Sequence, residues 1–162
     1  MDRIGNIAMV FPFYCGVFEM GTRSLTRVIE NGKTLVTLYR QMDGYPEGHG
    51  KDLAKFLKPI KLVNGIGGDE TGKIANGAGC LAAQLIAYFK KSAGGFYIVP
   101  SKKGSDHDQE FEYDIVISGD YDKHDFRVNA YSFYGKRKLL FSVPPSGLDL
   151  AIKLYTKAQE NE

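Results

Sequence analysis

Residues 22–41 read Thr22-Arg23-Ser24-Leu25-Thr26-Arg27-Val28-Ile29-Glu30-Asn31-Gly32-Lys33-Thr34-Leu35-Val36-Thr37-Leu38-Tyr39-Arg40-Gln41. Two runs of β-forming residues flank Asn31-Gly32. That dipeptide in that setting predicts a two-residue type I′ hairpin, because both central positions need positive φ. The turn fixes a register. Glu30 then faces Lys33, Ile29 faces Thr34, Val28 faces Leu35, Arg27 faces Val36, Leu25 faces Leu38, and Arg23 faces Arg40. Side chains on one face recur every second residue, so Arg23, Arg27 and Arg40 are expected to share a face with Leu25, Val36 and Leu38.

Two guanidinium groups opposed across a ladder repel, and a partly apolar surround removes the screening that would soften the repulsion. An anion is therefore expected between Arg23 and Arg40. The carboxylates of Asp43 and Glu47 could supply it, and so could a ligand phosphate or carboxylate, which guanidinium binds in bidentate fashion. The next ten residues, Gln41-Met42-Asp43-Gly44-Tyr45-Pro46-Glu47-Gly48-His49-Gly50, add donors, acceptors and an aromatic ring. Glycines let backbone N–H groups approach an anion, Tyr45 could stack on a base, and His49 stands at the entry to a helix. The alternative is an ordinary strand-to-helix connection whose glycines satisfy turn geometry.

Downstream, helices are expected over 48–57 (Leu53, Phe56 and Leu57 inward, Pro59 stopping it) and over 80–91, the latter apolar nearly all round and hence buried. Short strands are expected over 60–66 and 96–99. Alternation at Phe111, Tyr113, Ile115 and Ile117, at Phe126, Val128 and Ala130, and at Leu139, Phe141 and Val143 predicts a three-stranded meander. A last helix over 146–159 buries Leu148, Ile152 and Tyr155. The fold class is α+β, a mainly antiparallel sheet (hairpin plus meander) with about three helices packed on one side.

A second glycine-rich stretch, Asn64 to Gly79, lacks the Gly-Lys-Ser/Thr ending of a phosphate loop, although Asn76 at the start of a helix is a secondary anion contact. Acidic and histidine groups at Asp106-His107-Asp108 and at Asp120, Asp122, His124 and Asp125 fall in predicted turns, where Asp is common, and are assigned to turn chemistry rather than to a metal. No cofactor is expected.

The chain has 162 residues, enough for one domain with its own core. Its formal charge is only +2, which argues against a general nucleic-acid or membrane binder, so any anion site must arise from local clustering. Cys15 and Cys80 do not make a disulfide framework, and a reduced cytoplasmic setting is expected. Ile7 to Phe18 is largely apolar, but it is too short for a membrane span, is interrupted by Pro12 and lacks a signal-peptide pattern. Residues 1–19 read as a doubtful leader or a misassigned start. If Gly16 is encoded GGA, a GGAG lies about eight nucleotides before the Met20 codon, a spacing that suits bacterial initiation. Residues 20–162 then form a single globular domain.

Met20-Gly21-Thr22-Arg23-Ser24-Leu25-Thr26, then Tyr39-Arg40-Gln41-Met42-Asp43-Gly44-Tyr45-Pro46-Glu47-Gly48-His49-Gly50, resemble a family of small uncharacterised proteins of bacteria and their phages. Asn76-Gly77-Ala78-Gly79-Cys80-Leu81-Ala82-Ala83-Gln84 and Gly94-Gly95-Phe96-Tyr97 are similar too, and that family starts at the equivalent of Met20. The resemblance supplies no activity; by analogy a phage origin implies sequestration of a nucleotide signal of antiviral defence.

The leading expectation is a binding protein for a small anionic, nucleotide-like ligand held by Arg23, Arg27, Arg40, Gln41, Asp43, Tyr45, His49 and Asn76, with homo-oligomer formation left open. The alternatives are an enzyme acting on a phosphorylated or nucleotide substrate, with His49 as general acid/base assisted by Glu47 or Asp43, and a protein–protein inhibitor presenting the same loop.

Overall fold

Asn31 and Gly32 take the positive φ values the turn requires, 46° and 79°, and join strands β1 (Ser24–Glu30) and β2 (Lys33–Arg40). The computed structural model describes residues 21–63, 65, 73–100, 107–120, 123–134 and 136–161. The doubtful leader, half of the second glycine-rich stretch (64 and 66–72), Asp106, Asp122 and the side chains of Asp120 and His124 lie outside the described residues.

The hairpin starts in the expected register, with Glu30 opposite Lys33 and Ile29 opposite Thr34. It then departs from it. Val28 pairs with Val36, so Leu35 is an extra residue, a β-bulge that shifts every later pair by one. Ser24, not Arg23, lies opposite Arg40, and Arg27 lies opposite Thr37. A slip of one residue on one strand exchanges faces between the strands. Arg40 therefore shares the helix-side face with Val36 and Leu38, while Arg23 and Arg27 point to the other side. The expected face with all three arginines does not form.

Three helices, α1 (Lys51–Leu57), α2 (Gly77–Phe89) and α3 (Leu148–Gln159), pack on one face of a six-stranded sheet. Its strands run in the order β5-β2-β1-β6-β7-β8, where β5 is Phe96–Ile98, β6 Phe111–Asp120, β7 Lys123–Ser132 and β8 Lys138–Val143. All neighbours are antiparallel except β1 and β6, which pair in parallel. The meander forms as expected, and the class is α+β. A separate two-stranded parallel sheet joins β3 (Lys61–Val63) to β4 (Ile74–Asn76).

The core follows from the period-2 residues of the sheet. Val28, Phe111, Tyr113, Ile115 and Val128 meet Leu53 and Leu57 of α1, Leu81 and Leu85 of α2, and Leu148 and Ile152 of α3. Each buried Leu or Ile stabilises by about 1.5–3 kcal/mol relative to exposure. Tyr155 is only half-buried. Helix α2 starts earlier than expected and is not buried all round, since Ala83, Ala87 and Tyr88 are exposed. Ala83 and Ala87 are small enough to be exposed at little cost, and the half-exposed Tyr88 ring lies against Phe56 and Phe89. No helix among the described residues is long and apolar enough to cross a membrane.

Candidate functional site

The loop after β2 folds tightly onto β1. Gly44 N donates to Thr22 O at 2.8 Å, and the buried Tyr113 hydroxyl donates to Gly44 O at 2.9 Å. A Cβ on Gly44 would lie 2.6 Å from Arg23 C, so that glycine serves close contact between two backbones. Pro46–Gly50 then forms one wide π-type turn that leads into α1 and turns His49 inward, where it is fully buried.

Both ring nitrogens of His49 are engaged. Arg40 Nη1 lies 3.0 Å from Nδ1, and Thr26 Oγ1 lies 2.6 Å from Nε2. A guanidinium can only donate, so Nδ1 accepts, and the ring proton must sit on Nε2 and be given to Thr26 Oγ1. Burial and then the Arg40 charge hold the imidazole well below its ordinary pKa of 6.5, hence neutral. Arg40 is equally occupied. Its Nε donates to Met42 O at 2.6 Å, Nη1 also reaches Asp52 Oδ2 at 2.9 Å, Nη2 stands 3.9 Å from Asp43, and the guanidinium lies over Phe96.

The structure thus brings four of the expected residues into one cluster: Arg40, His49, Asp43 and Tyr45, whose hydroxyl is 3.5 Å from Asp43 Oδ1. Glu47 accepts a hydrogen bond from Thr156 Oγ1 of α3. Gln41 is exposed, with its backbone N–H on Gly95 O. Asn76 caps α2 positionally, but its side chain accepts from Gly65 N at 3.1 Å. A buried neutral histidine with both nitrogens committed is a bolt between β1, β2 and the loop.

Arg23 and Arg27 lie on the other face of the sheet and meet carboxylates there. Arg23 is held by Glu110 through its backbone N–H at 2.6 Å and through Nη2 at 3.2 Å. Arg27 belongs to a closed ring: it donates to Glu112 at 2.7 Å and to Asp114 at 3.1 Å, and Arg137 donates to the same two carboxylates at 2.7 Å each. Arg137 also stacks on Tyr131, and Gln109 adds a bond to Glu112. Burial alone would raise the Glu112 pKa, but the two arginines outweigh it and bring it down to about 2. The anion expected beside the arginines is therefore protein carboxylate on both faces.

A different cluster of cations does face solvent. An open groove of about 430 Å³ runs between α1 and α2. Its floor is apolar: Phe56 and Tyr88, with ring centroids 5.0 Å apart, and Ala87. Lys55, Lys73 and Lys91 line it, and no acidic side chain does among the described residues. Lys55 reaches Asp52 at 3.5 Å, and Lys91 donates to Ala87 O at 2.7 Å. At one end Gln84 donates to Ile74 O at 2.9 Å, and its buried Oε1 meets no donor among the described residues. Sequence reasoning missed this groove because its residues come from three segments. The available signal was Gln84, Ala87 and Tyr88, a partly polar or exposed stripe at helical spacing on a helix read as apolar nearly all round, with Lys91 just past its end.

Among the described residues no group of three or more His, Cys, Asp or Glu could hold a metal ion. Comparison of the chain with known protein families, curated proteins and solved structures finds no match.

Proposed function

We propose that this chain binds a small anionic, nucleotide-like ligand in the groove between α1 and α2. The carrying observation is the local imbalance of charge. The whole chain has 21 basic and 19 acidic residues, yet among the described residues the groove is lined by three lysines and no acid over an aromatic floor. Phosphate meets the ammonium groups while a base lies against Tyr88 and Phe56, the combination of charge and ring stacking by which nucleotides are commonly held. The arginine cluster supports this site indirectly: Arg40 fixes the start of α1 through Asp52, the residue that also steadies Lys55.

Binding without turnover is the reading we follow, since the described lining of the groove has cations and aromatic rings. That behaviour suits a protein that sequesters a nucleotide signal, the role that resemblance to phage proteins implies. The test is a thermal-shift panel of nucleotides followed by recovery of the ligand. A nucleotide at a hundredfold excess over its Kd should stabilise the fold by about 2.7 kcal/mol and be recovered intact. The shift should shrink with added salt, because exposed lysines supply the charge. Recovery of a cleaved product would favour the enzyme reading. A flat panel, or a shift that survives replacement of all three lysines by Gln, would place the function elsewhere.

A further inference from the structure

Among the described residues β8, an outer strand of the sheet, pairs with β7 alone. An open strand edge recruits a further strand unless charge, a bulge or proline blunts it. In β8 these devices are confined to the two ends. Lys138 opens the strand, and Leu140 is an extra residue, since Leu139 pairs with Tyr131 and Phe141 with Ala130. Pro144 and Pro145 follow its end. The stretch between, Phe141–Val143, has no charge, bulge or proline.

Helix α3 adds an apolar flank on the same side of the molecule. It packs against β8 and against α1. Leu148 and Ile152 enter the core, while Asp149 accepts from Lys58 and Thr156 donates to Glu47, which fixes the side turned toward α1 and its approach. At about 100° per residue, Leu150 and Leu154 fall on the opposite flank, away from α1. They are 62% and 61% exposed, and Ala151 and Ala158 beside them add no charge. A Cβ on Gly147, just before α3, would lie 3.6 Å from Val143 Cβ, so the flank begins near the unblunted end of β8.

We propose that this side is a two-fold interface with a second copy of the chain. Phe141–Val143 pairs antiparallel with itself about Ser142, and Leu150 packs on Leu154 of the second copy. Charge selects this arrangement over its alternative. Lys136, Arg137 and Lys138 stand at one end of β8, and an antiparallel mate turns them toward the end that carries Asp149. A parallel mate would set the three cations against their own copies. The exposed leucines count twice across a two-fold, and with the β8 main chain they bring the contact near the lower limit of about 1,000 Å² for a specific interface. A weak dimer follows, with a Kd on the order of 10 µM.

Sedimentation velocity of the full chain, over about a hundredfold range of concentration around that Kd, tests it. The average mass should rise from that of one chain toward that of two. Leu150→Lys together with Leu154→Lys should hold the chain as a monomer throughout. The melting curve of that variant at high dilution should match the parent, since both side chains face solvent. Hydrogen exchange needs no variant: amide protection over Phe141–Val143 should rise with concentration, while that over β5, the other outer strand, stays constant. A chain monomeric at every concentration overturns the proposal, whether or not it then cosediments with phosphatidylserine vesicles, which would give the flank to a lipid surface. A dimer that survives both leucine replacements, or that protects β5 in place of β8, overturns it as well.

Discussion

Arg40 shows how a residue suited to ligand binding can be consumed by the fold. Its guanidinium, only 13% exposed, satisfies Met42 O, His49 Nδ1 and Asp52 at once. Arg40→Met should therefore leave a buried imidazole nitrogen and a half-buried carboxylate without their donor. A loss of about 2–3 kcal/mol in urea unfolding is expected. An unchanged or raised stability would mean that the arginine is spared for an anion. His49 sets a pH dependence of known sign. Its folded pKa lies below the unfolded value of 6.5, so the stability it contributes is present above that pH. Below it the unfolded chain takes up the proton first, and stability falls by up to about 1.4 kcal/mol per pH unit toward the folded value. Unfolding free energies from pH 7 to 5 should slope in the parent and flatten in His49→Gln. Parallel curves would show that the ring is protonated in the fold.

At the scale of elements, the ring of Arg27, Glu112, Arg137 and Asp114 ties β1, β6 and the segment before β8 together on the sheet face away from the helices. Glu112 is 3% exposed, so Glu112→Gln sets two guanidinium groups against one remaining carboxylate. A loss of about 2–4 kcal/mol is expected, reduced by solvent around the partly exposed Arg137. In the parent, the Glu112 contribution is present above the unfolded pKa of 4.5 and lost as pH falls toward about 2; the variant should lack that acid-range decline. A loss below about 1 kcal/mol at neutral pH would mean that solvent already carries the charges. These elements were unequally legible in sequence. Asn31-Gly32 announced its turn because only a few residues tolerate those dihedrals. The bulge at Leu35 had no such signal, since Lys33 to Arg40 contains neither glycine nor proline, and one unannounced residue was enough to send Arg40 and Arg23 to opposite faces. Glu112 and Asp114 were visible as acids alternating with Phe111, Tyr113 and Ile115, which marks a strand with one charged and one apolar face. Their arginine partners lie at distances in sequence that no local pattern encodes.

Across the whole molecule, what the sequence left unread is how its locally built pieces meet. The hairpin and the meander were each legible from short-range periodicity, and so were the helices. The parallel pairing of β1 with β6 was not, because it joins residues such as Arg27 and Asp114 that stand 87 positions apart. The lysine groove escaped for the same reason. Lys55, Lys73 and Lys91 come to line one groove only when β3 and β4 pair and draw the end of α1 to the start of α2.

That one parallel contact is also a seam. Strands β5, β2 and β1, with α1 and α2, come from the chain before residue 101; strands β6, β7 and β8, with α3, come from the chain after residue 106. No described strand of the sheet crosses from one half to the other, which predicts that the molecule can be supplied as two polypeptides. Fragments 20–100 and 107–162, expressed apart and mixed, should reassemble into one complex with native-like spectra, its affinity set by the β1–β6 ladder and by Leu148 and Ile152 closing over the core. Native mass spectrometry of the mixture decides it, and a pair that stays apart would mean that the connecting segment is needed to hold the halves in register. If the halves do join, each can carry a reporter fragment of its own. Because both lining helices of the groove belong to the first half, a nucleotide bound there, as proposed, should be read out as a change in how tightly the second half docks.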